Sequence, residues 1–148
     1  MKVSVIVPTY NRARMLTEAI DSVLNQTFKD FELIIVDNCS TDDTEFVVKS
    51  YNDKRIRYFK NQNNGLVSIN RNYGITKSCG EYVAFLDDDD LWLPEKLEKQ
   101  VTLLDLNREV GLVYSDSYMI DVTGNVMRNS LLCSVKHFRG NVFNELLL

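Results

Sequence analysis

Four consecutive carboxylates, Asp87, Asp88, Asp89 and Asp90, follow directly on the apolar run Tyr82-Val83-Ala84-Phe85-Leu86. Like charges this close repel and raise one another's pKa values unless a cation neutralises them, so the run reads as a cation site. No His or Cys lies beside it, and an all-oxygen ligand set suits a hard ion such as Mg²⁺ or Mn²⁺, which keeps open positions for water or substrate phosphates. The competing reading is a solvated acidic turn, the usual fate of a charge block. The flanking sequence argues against it: a buried strand leads in and Leu91-Trp92-Leu93-Pro94 leads out, pinning the acids at the mouth of a core.

Other polar groups fall at comparable places. Tyr10, past the first apolar run, can stack on a base, and Asp37 or Asn38, past the second, can read its edge; equally, Tyr10 can lead into a helix and Asp37 or Asn38 can form a turn. Arg71, followed by Asn72, can pair bidentately with a phosphate as Lys cannot, against the ordinary reading of a solvated Arg. Neither GxGxxG nor GxxxxGK[ST] occurs, which disfavours both familiar nucleotide loops. His137, the only histidine, sits in a weakly patterned tail and reads as structural or exposed, so a Ser-His-Asp triad is excluded unless it serves. Trp92 reads as a core anchor before a sugar platform. An aspartyl-phosphate phosphatase also clusters acids, but it wants a following Thr or Ser and a distinct Lys, whereas Asp89 and Asp90 run into Leu91-Trp92.

Composition narrows the class. With 148 residues and 45% hydrophobic content the chain fits one domain with a real core. Its apolar runs are far shorter than the roughly 18–20 residues that cross a bilayer, and the N-terminal stretch is too strand-like for a signal peptide, so a soluble, unexported domain is expected. The three cysteines lack CxxC spacing and are odd in number, which suits free thiols in a reducing compartment. A net charge of −4 without a dense Lys/Arg tract gives no footprint for nucleic acid.

These residues must be positioned by elements that the patterning outlines. Val3 to Val7, ended by Pro8, and Phe31 to Val36 are apolar runs of strands buried on both faces. Between them, Asn11 is placed to cap a helix with a stripe at Leu16, Ile20, Val23 and Leu24. Ser40 and Asp43 match a capping box for a helix over 41–50. A third strand is expected over 55–59, a turn at Asn63-Asn64-Gly65, and a helix over 66–78 with a Leu66, Ile69, Tyr73 stripe and Gly80 as its terminator. Tyr82 to Leu86 is strand four, Pro94 opens a helix carrying Leu97, Val101 and Leu104 with a Glu95–Lys99 pair, Val110 to Tyr114 is strand five, and Thr123-Gly124-Asn125 is a hairpin turn. Strands alternating with helices imply βαβ units and a mainly parallel α/β sheet flanked by helices, with ligands beyond the carboxyl ends of the strands. The polar groups just described all lie at those ends.

Taken in order, Val3-Ser4-Val5-Ile6-Val7-Pro8-Thr9-Tyr10-Asn11-Arg12, Ser22 to Thr27, Ile34-Ile35-Val36-Asp37-Asn38-Cys39-Ser40-Thr41-Asp42, Asn64-Gly65, Arg71-Asn72-Tyr73-Gly74 and Phe85 to Asp90 resemble the start of a family 2 glycosyltransferase with the GT-A fold. The resemblance covers about residues 2 to 120 and implies a nucleotide-diphospho-sugar transferase. By position it places Pro8, Thr9 and Tyr10 around the base with Asp37 and Asn38, Arg71 toward the pyrophosphate, Asp87 as first residue of a DxD motif, Asp88 near the ribose and Asp89 on the divalent metal, Mn²⁺ or Mg²⁺. Many members carry a second Asp where Asn38 stands. The implied reaction is inverting transfer of a sugar from a nucleoside-diphosphate sugar, a UDP-sugar first, to an acceptor hydroxyl, the metal stabilising charge on the leaving diphosphate.

A general base must also take the acceptor proton, and in this family it lies downstream. The late carboxylates Asp116, Asp121 and Glu145 sit in no recognisable base motif, so the catalytic base is expected beyond Leu148 and the chain reads as truncated on the acceptor side. Residues 1–148 are expected to form a single GT-A domain, with a Rossmann-like core over 1–115 and the start of an acceptor region over 116–148. The resemblance further implies a glycan or lipid-linked acceptor in polysaccharide synthesis, no nucleic acid partner, and a cytoplasmic location with peripheral association at the inner membrane face. The alternative is a non-catalytic nucleotide-sugar-binding module that lacks a base.

Overall fold

A computed structural model describes residues 1–121 and 123–128. Two compact units divide the chain, Met1–Asp105 and Leu106–Leu148.

The first unit is a four-stranded parallel sheet in the order β3-β2-β1-β4, with β1 at Val3–Thr9, β2 at Phe31–Asp37, β3 at Ile56–Lys60 and β4 at Tyr82–Phe85. The helices are α1 (Ala13–Leu24), α2 (Thr44–Ser50), α3 (Val67–Lys77) and α4 (Lys96–Leu106). Strand alternation sorts the core into two layers. Val3, Val5 and Val7 with Leu33 and Ile35 pack with Leu16, Ile20 and Val23 of α1, Val48 of α2 and Leu97 and Val101 of α4. Ile6, Ile34 and Val36 face the other way, against Phe59 and Tyr73. Both central strands are fully buried, which is why their sequences run apolar instead of alternating.

Several boundaries differ from the sequence reading for identifiable reasons. Pro8 does not end β1: the strand continues to Thr9, because β4 pairs only with Val3 to Ile6 and no ladder bond is demanded from Pro8 on that side. Asn11 is not the cap of α1. It takes a left-handed conformation with φ 51°, and the first free amide of the helix, at Ala13, donates instead to Asp42 Oδ2 at 3.1 Å. The expected capping box at Ser40 is likewise spent elsewhere, and α2 starts only at Thr44, whose N–H and hydroxyl both donate to Asp42 Oδ1.

Helix α3 forms as expected but presents another face. Leu66 and Ile69 are exposed, and Asn70 and Gly74 are the buried positions. A Cβ on Gly74 would stand 2.5 Å from Ile6 Cγ2, so glycine is what lets this helix lie against β1. Gly80 is not a helix terminator either: its N–H donates to Ser4 Oγ at 2.8 Å and a Cβ there would meet the Ser4 main-chain nitrogen at 2.6 Å. Pro94 lies in a turn ahead of α4, and the Glu95–Lys99 pair closes at 2.6 Å.

In the second unit the expected turn at Thr123-Gly124-Asn125 joins β5 (Met119–Ile120) to β6 (Val126–Arg128), with Gly124 at φ 84°. The strand expected over Val110 to Tyr114 is absent, since these residues have no ladder partner among the described residues and Gly111 weakens the run. Cys133, His137 and Glu145 lie outside the described residues, as does any base beyond Leu148.

Candidate functional site

The order β3-β2-β1-β4 reverses the winding direction between β1 and β4, so a crevice opens where their carboxyl ends diverge. Thr9 closes the bottom of it: its hydroxyl donates to Asp88 Oδ2 at 2.7 Å, tying the end of β1 to the acidic run. The loops after β1 and β2 are stitched together, with the Asn11 N–H donating to Ser40 Oγ at 2.9 Å and the Thr41 N–H to Asn11 Oδ1 at 2.7 Å. Below, Gln26 is fully buried and satisfied, donating to Ser22 O and Leu93 O while accepting the Leu97 N–H, and so it fixes the segment that leaves the acids.

The four carboxylates do not converge. Asp87 accepts from Arg71 Nη2 at 2.6 Å, Asp88 from Thr9 and from Arg12 Nη1 at 3.0 Å, and Asp89 from the same Arg12 nitrogen at 2.6 Å. Neutralisation of the run, which the sequence assigns to a metal, is here shared by two guanidinium groups. Asp88 is buried with both oxygens engaged, whereas Asp89 is half exposed and its second oxygen has no partner among the described residues. Asp90 has no side-chain partner among the described residues, and its pKa is raised, first by crowding out of solvent and then by the charges of Asp89 and Asp87.

Asp37 is wholly buried. Its Oδ1 accepts the Ser40 N–H and hydroxyl, its Oδ2 the Tyr58 hydroxyl, and burial followed by this bond pushes the Tyr58 pKa up. Asn38 donates its N–H to Thr9 O and accepts the Asn63 N–H on Oδ1 at 2.7 Å, and its side-chain N–H groups have no partner among the described residues.

A cleft of about 280 Å³ lies at this place. Pro8, Thr9, Tyr10, Asn38 and Asp88, all anticipated, line it. So do Arg12, Asn63, Gly65 and Val67, which were not singled out as binding residues. Asp37, Arg71, Asp87 and Asp89 are not lining residues; Asp37 supports the cleft from beneath, and the other three form the charged rim around Asp88. Tyr10 is half exposed, free to meet a planar ligand. Trp92 packs on the core with the Lys96 ammonium 4.2 Å from its ring centroid, as a core anchor would. Arg12 had a weak signal, since an Arg after a strand-end loop reads as surface until β4 is folded beside it. Asn63 and Gly65 read only as a turn, which they are: Gly65 has φ 82° and donates to Asn63 Oδ1.

No group of three or more His, Cys, Asp or Glu is arranged as a metal cage among the described residues. The donor chemistry nevertheless fits a hard cation: Asp89 is a half-exposed carboxylate with an open oxygen, Asp87 two residues earlier is as exposed, and Mg²⁺-like ions take one or two carboxylates and draw the rest of their shell from water and phosphates.

Comparison with solved structures defines the class. The chain superposes on Staphylococcus aureus TarS 1-349 in complex with UDP-GlcNAc with a TM-score of 0.66 and 36% identity, covering 73% of this chain and 32% of that one. Mannosyltransferase PcManGT from Pyrobaculum calidifontis in complex with GDP-Man and Mn²⁺ gives a TM-score of 0.64 at 29% identity over 70% of this chain and 32% of that one. The fold is that of a GT-A glycosyltransferase. The chain belongs to glycosyl transferase family 2, whose model matches residues 4–145. Among curated relatives, the GalNAc(5)-diNAcBac-PP-undecaprenol beta-1,3-glucosyltransferase of Campylobacter jejuni is 42% identical over 134 residues, 86% of this chain and 41% of its own length. The chain spans well under half the length of that relative and about a fifth, 21%, of another from Rickettsia bellii.

Proposed function

We propose that the chain is the donor-binding part of an inverting glycosyltransferase that moves a sugar from a nucleoside-diphosphate sugar, a UDP-sugar first, to an acceptor hydroxyl in glycan synthesis. The observation that carries this reading is the cleft at the switch point, with Tyr10 free on one side and the Arg12, Asp88, Asp89 and Arg71 constellation on its rim. In it, Tyr10 stacks on the base, the free amide N–H groups of Asn38 reach a base or ribose acceptor, and Asp37 holds the loop that carries Asn38. Asp88, immobilised by Thr9, faces the ribose, while Arg71 lies on the pyrophosphate side. Asp89, with Asp87 beside it, holds Mn²⁺ or Mg²⁺. When bound, such an ion stabilises negative charge on the departing diphosphate.

We place the general base outside the described residues. Asp121 is a poor proton acceptor, because hydrogen bonds from Thr123, then from the Asn125 and Thr123 amides, hold its pKa down at about 2, far from the neutral value a base needs. Residues 116–148 are then the beginning of the acceptor side, continuous with a core over 1–115. That same observation favours the second reading, a module that binds donor without turnover. The C. jejuni relative is named for an undecaprenol-diphosphate-linked acceptor, which supports a lipid-linked glycan acceptor here; peripheral work at the inner face of the cytoplasmic membrane is proposed with it. No described helix is long and apolar enough to cross a membrane. The test is release of UDP from UDP-glucose and UDP-GlcNAc by the 148-residue chain in Mn²⁺, with and without a polyprenyl-diphosphate saccharide. Acceptor-dependent release supports transfer; tight binding with no release supports the module.

A further inference from the structure

We propose that Arg12 is the internal counter-ion of this site, holding Asp89 in the place a metal takes and giving it up when a diphosphate arrives. The proposal rests on the donor-site reading above and concerns the order in which that site assembles.

One nitrogen of Arg12, Nη1, bonds to two carboxylates: Asp88 Oδ1 at 3.0 Å and Asp89 Oδ2 at 2.6 Å. The two bonds differ in environment. Asp88 has 7% of its side chain exposed and its other oxygen is fixed by Thr9, so breaking that pair would strand a buried charge. Asp89 has 45% of its side chain exposed, and an exposed ion pair is worth little and exchanges readily. Arg12 is thus anchored through Asp88 and free to release Asp89.

The rest of its guanidinium is unspent. Nη2 and Nε have no hydrogen-bond partner among the described residues, and Arg12 lines the cleft next to Thr9 and Tyr10. A planar fork with two open donors matches a phosphate edge, which a second anion entering the cleft supplies. Without a diphosphate, a divalent cation meets at Asp89 a carboxylate already neutralised by Arg12 through Oδ2, with only the other oxygen open and a like charge beside it. With one, the Arg12 fork has a new anion, Asp89 is freed, and the phosphate adds metal ligands. Metal and nucleotide therefore bind with positive coupling, and that coupling is reciprocal.

The direct readout is Mn²⁺ binding to the nucleotide-free chain, followed by the electron paramagnetic resonance of free Mn²⁺. The unsubstituted chain is expected to bind Mn²⁺ weakly. Arg12→Gln is expected to bind Mn²⁺ alone about tenfold more tightly, and UDP in Mn²⁺ about tenfold more weakly by calorimetry. The gain in Mn²⁺ affinity must vanish when Asp89→Asn is added, and Arg14→Gln, an exposed residue paired with Glu18, must change neither. Should Arg12→Gln not fold, Arg12→Met serves, since it removes the charge while keeping an unbranched apolar stem, and it should bind Mn²⁺ several-fold more tightly than the unsubstituted chain. Unchanged or weaker Mn²⁺ binding in the folded Arg12 variants overturns the proposal. Absence of UDP, GDP and dTDP binding by the unsubstituted chain would instead overturn the donor reading, while the nucleotide-free Mn²⁺ titration would still decide whether Arg12 and the ion compete for Asp89.

Discussion

Asp90 shows what an acidic site costs. Among the described residues neither an arginine nor a hydroxyl lies against it, and burial with its neighbours' charges raises its pKa. A carboxyl whose folded pKa lies above its unfolded value binds more protons folded than unfolded, so stability falls as pH rises from about 3.8 through the raised value and stays lowered above it. Asp90→Asn is therefore expected to raise the urea midpoint at pH 7, with the difference shrinking to nothing below about pH 3.8; an unchanged midpoint at pH 7 would mean the crowding carries no penalty. Asp37 is fully partnered, since three donors converge on it. Asp37→Asn must turn an amide N–H toward one of them, and about 1–3 kcal/mol of unfolding free energy should be lost in urea titrations. At this scale the acids, Tyr10 and Asn38 were legible because residue type and spacing at strand ends are local facts. Arg12 was not, because its meaning depends on Asp88 and Asp89, which only the pairing of β1 with β4 brings beside it.

The elements were legible where burial dictates composition. β1 and β2 run apolar because both faces are covered, and α1 shows its stripe because one face meets the sheet. What escaped were features satisfied from a distance. The N-terminus of α1 is capped by Asp42 from the next loop, so no local motif announces it, and the true face of α3 is marked by a missing side chain at Gly74. Val110 to Tyr114 had the composition of a strand but joins no sheet among the described residues, and a strand is a property of two segments. Glycines provide the sharpest test of the packing. Gly80→Ala puts a methyl group 2.6 Å from the Ser4 nitrogen and 2.7 Å from the Val3 carbonyl carbon, main-chain atoms that cannot swing aside. A loss of about 3 kcal/mol is expected in chemical denaturation, at the upper end of the usual overpacking penalty. Gly65→Ala meets nothing within 4 Å and should cost only the strain of a left-handed residue, about 1 kcal/mol. Equal losses at the two sites would contradict the close approach of the α3–β4 loop to β1.

Over the whole chain, a net charge of −4 and an acidic run make a poor host for a diphosphate unless cations gather locally. Arg12 and Arg71 are two such cations, set after β1 and on α3 against the acidic run, and a divalent ion at Asp89 is the third that the donor reading calls for. The account stands or falls on one titration: calorimetry of the chain with UDP in Mn²⁺ and again in excess chelator, using Asp89→Ala as the companion. It predicts micromolar-range binding that weakens at least about tenfold on chelation and in Asp89→Ala, with the fold intact by circular dichroism. No heat with UDP, GDP or dTDP in Mn²⁺, or binding of equal strength in Asp89→Ala, would contradict it.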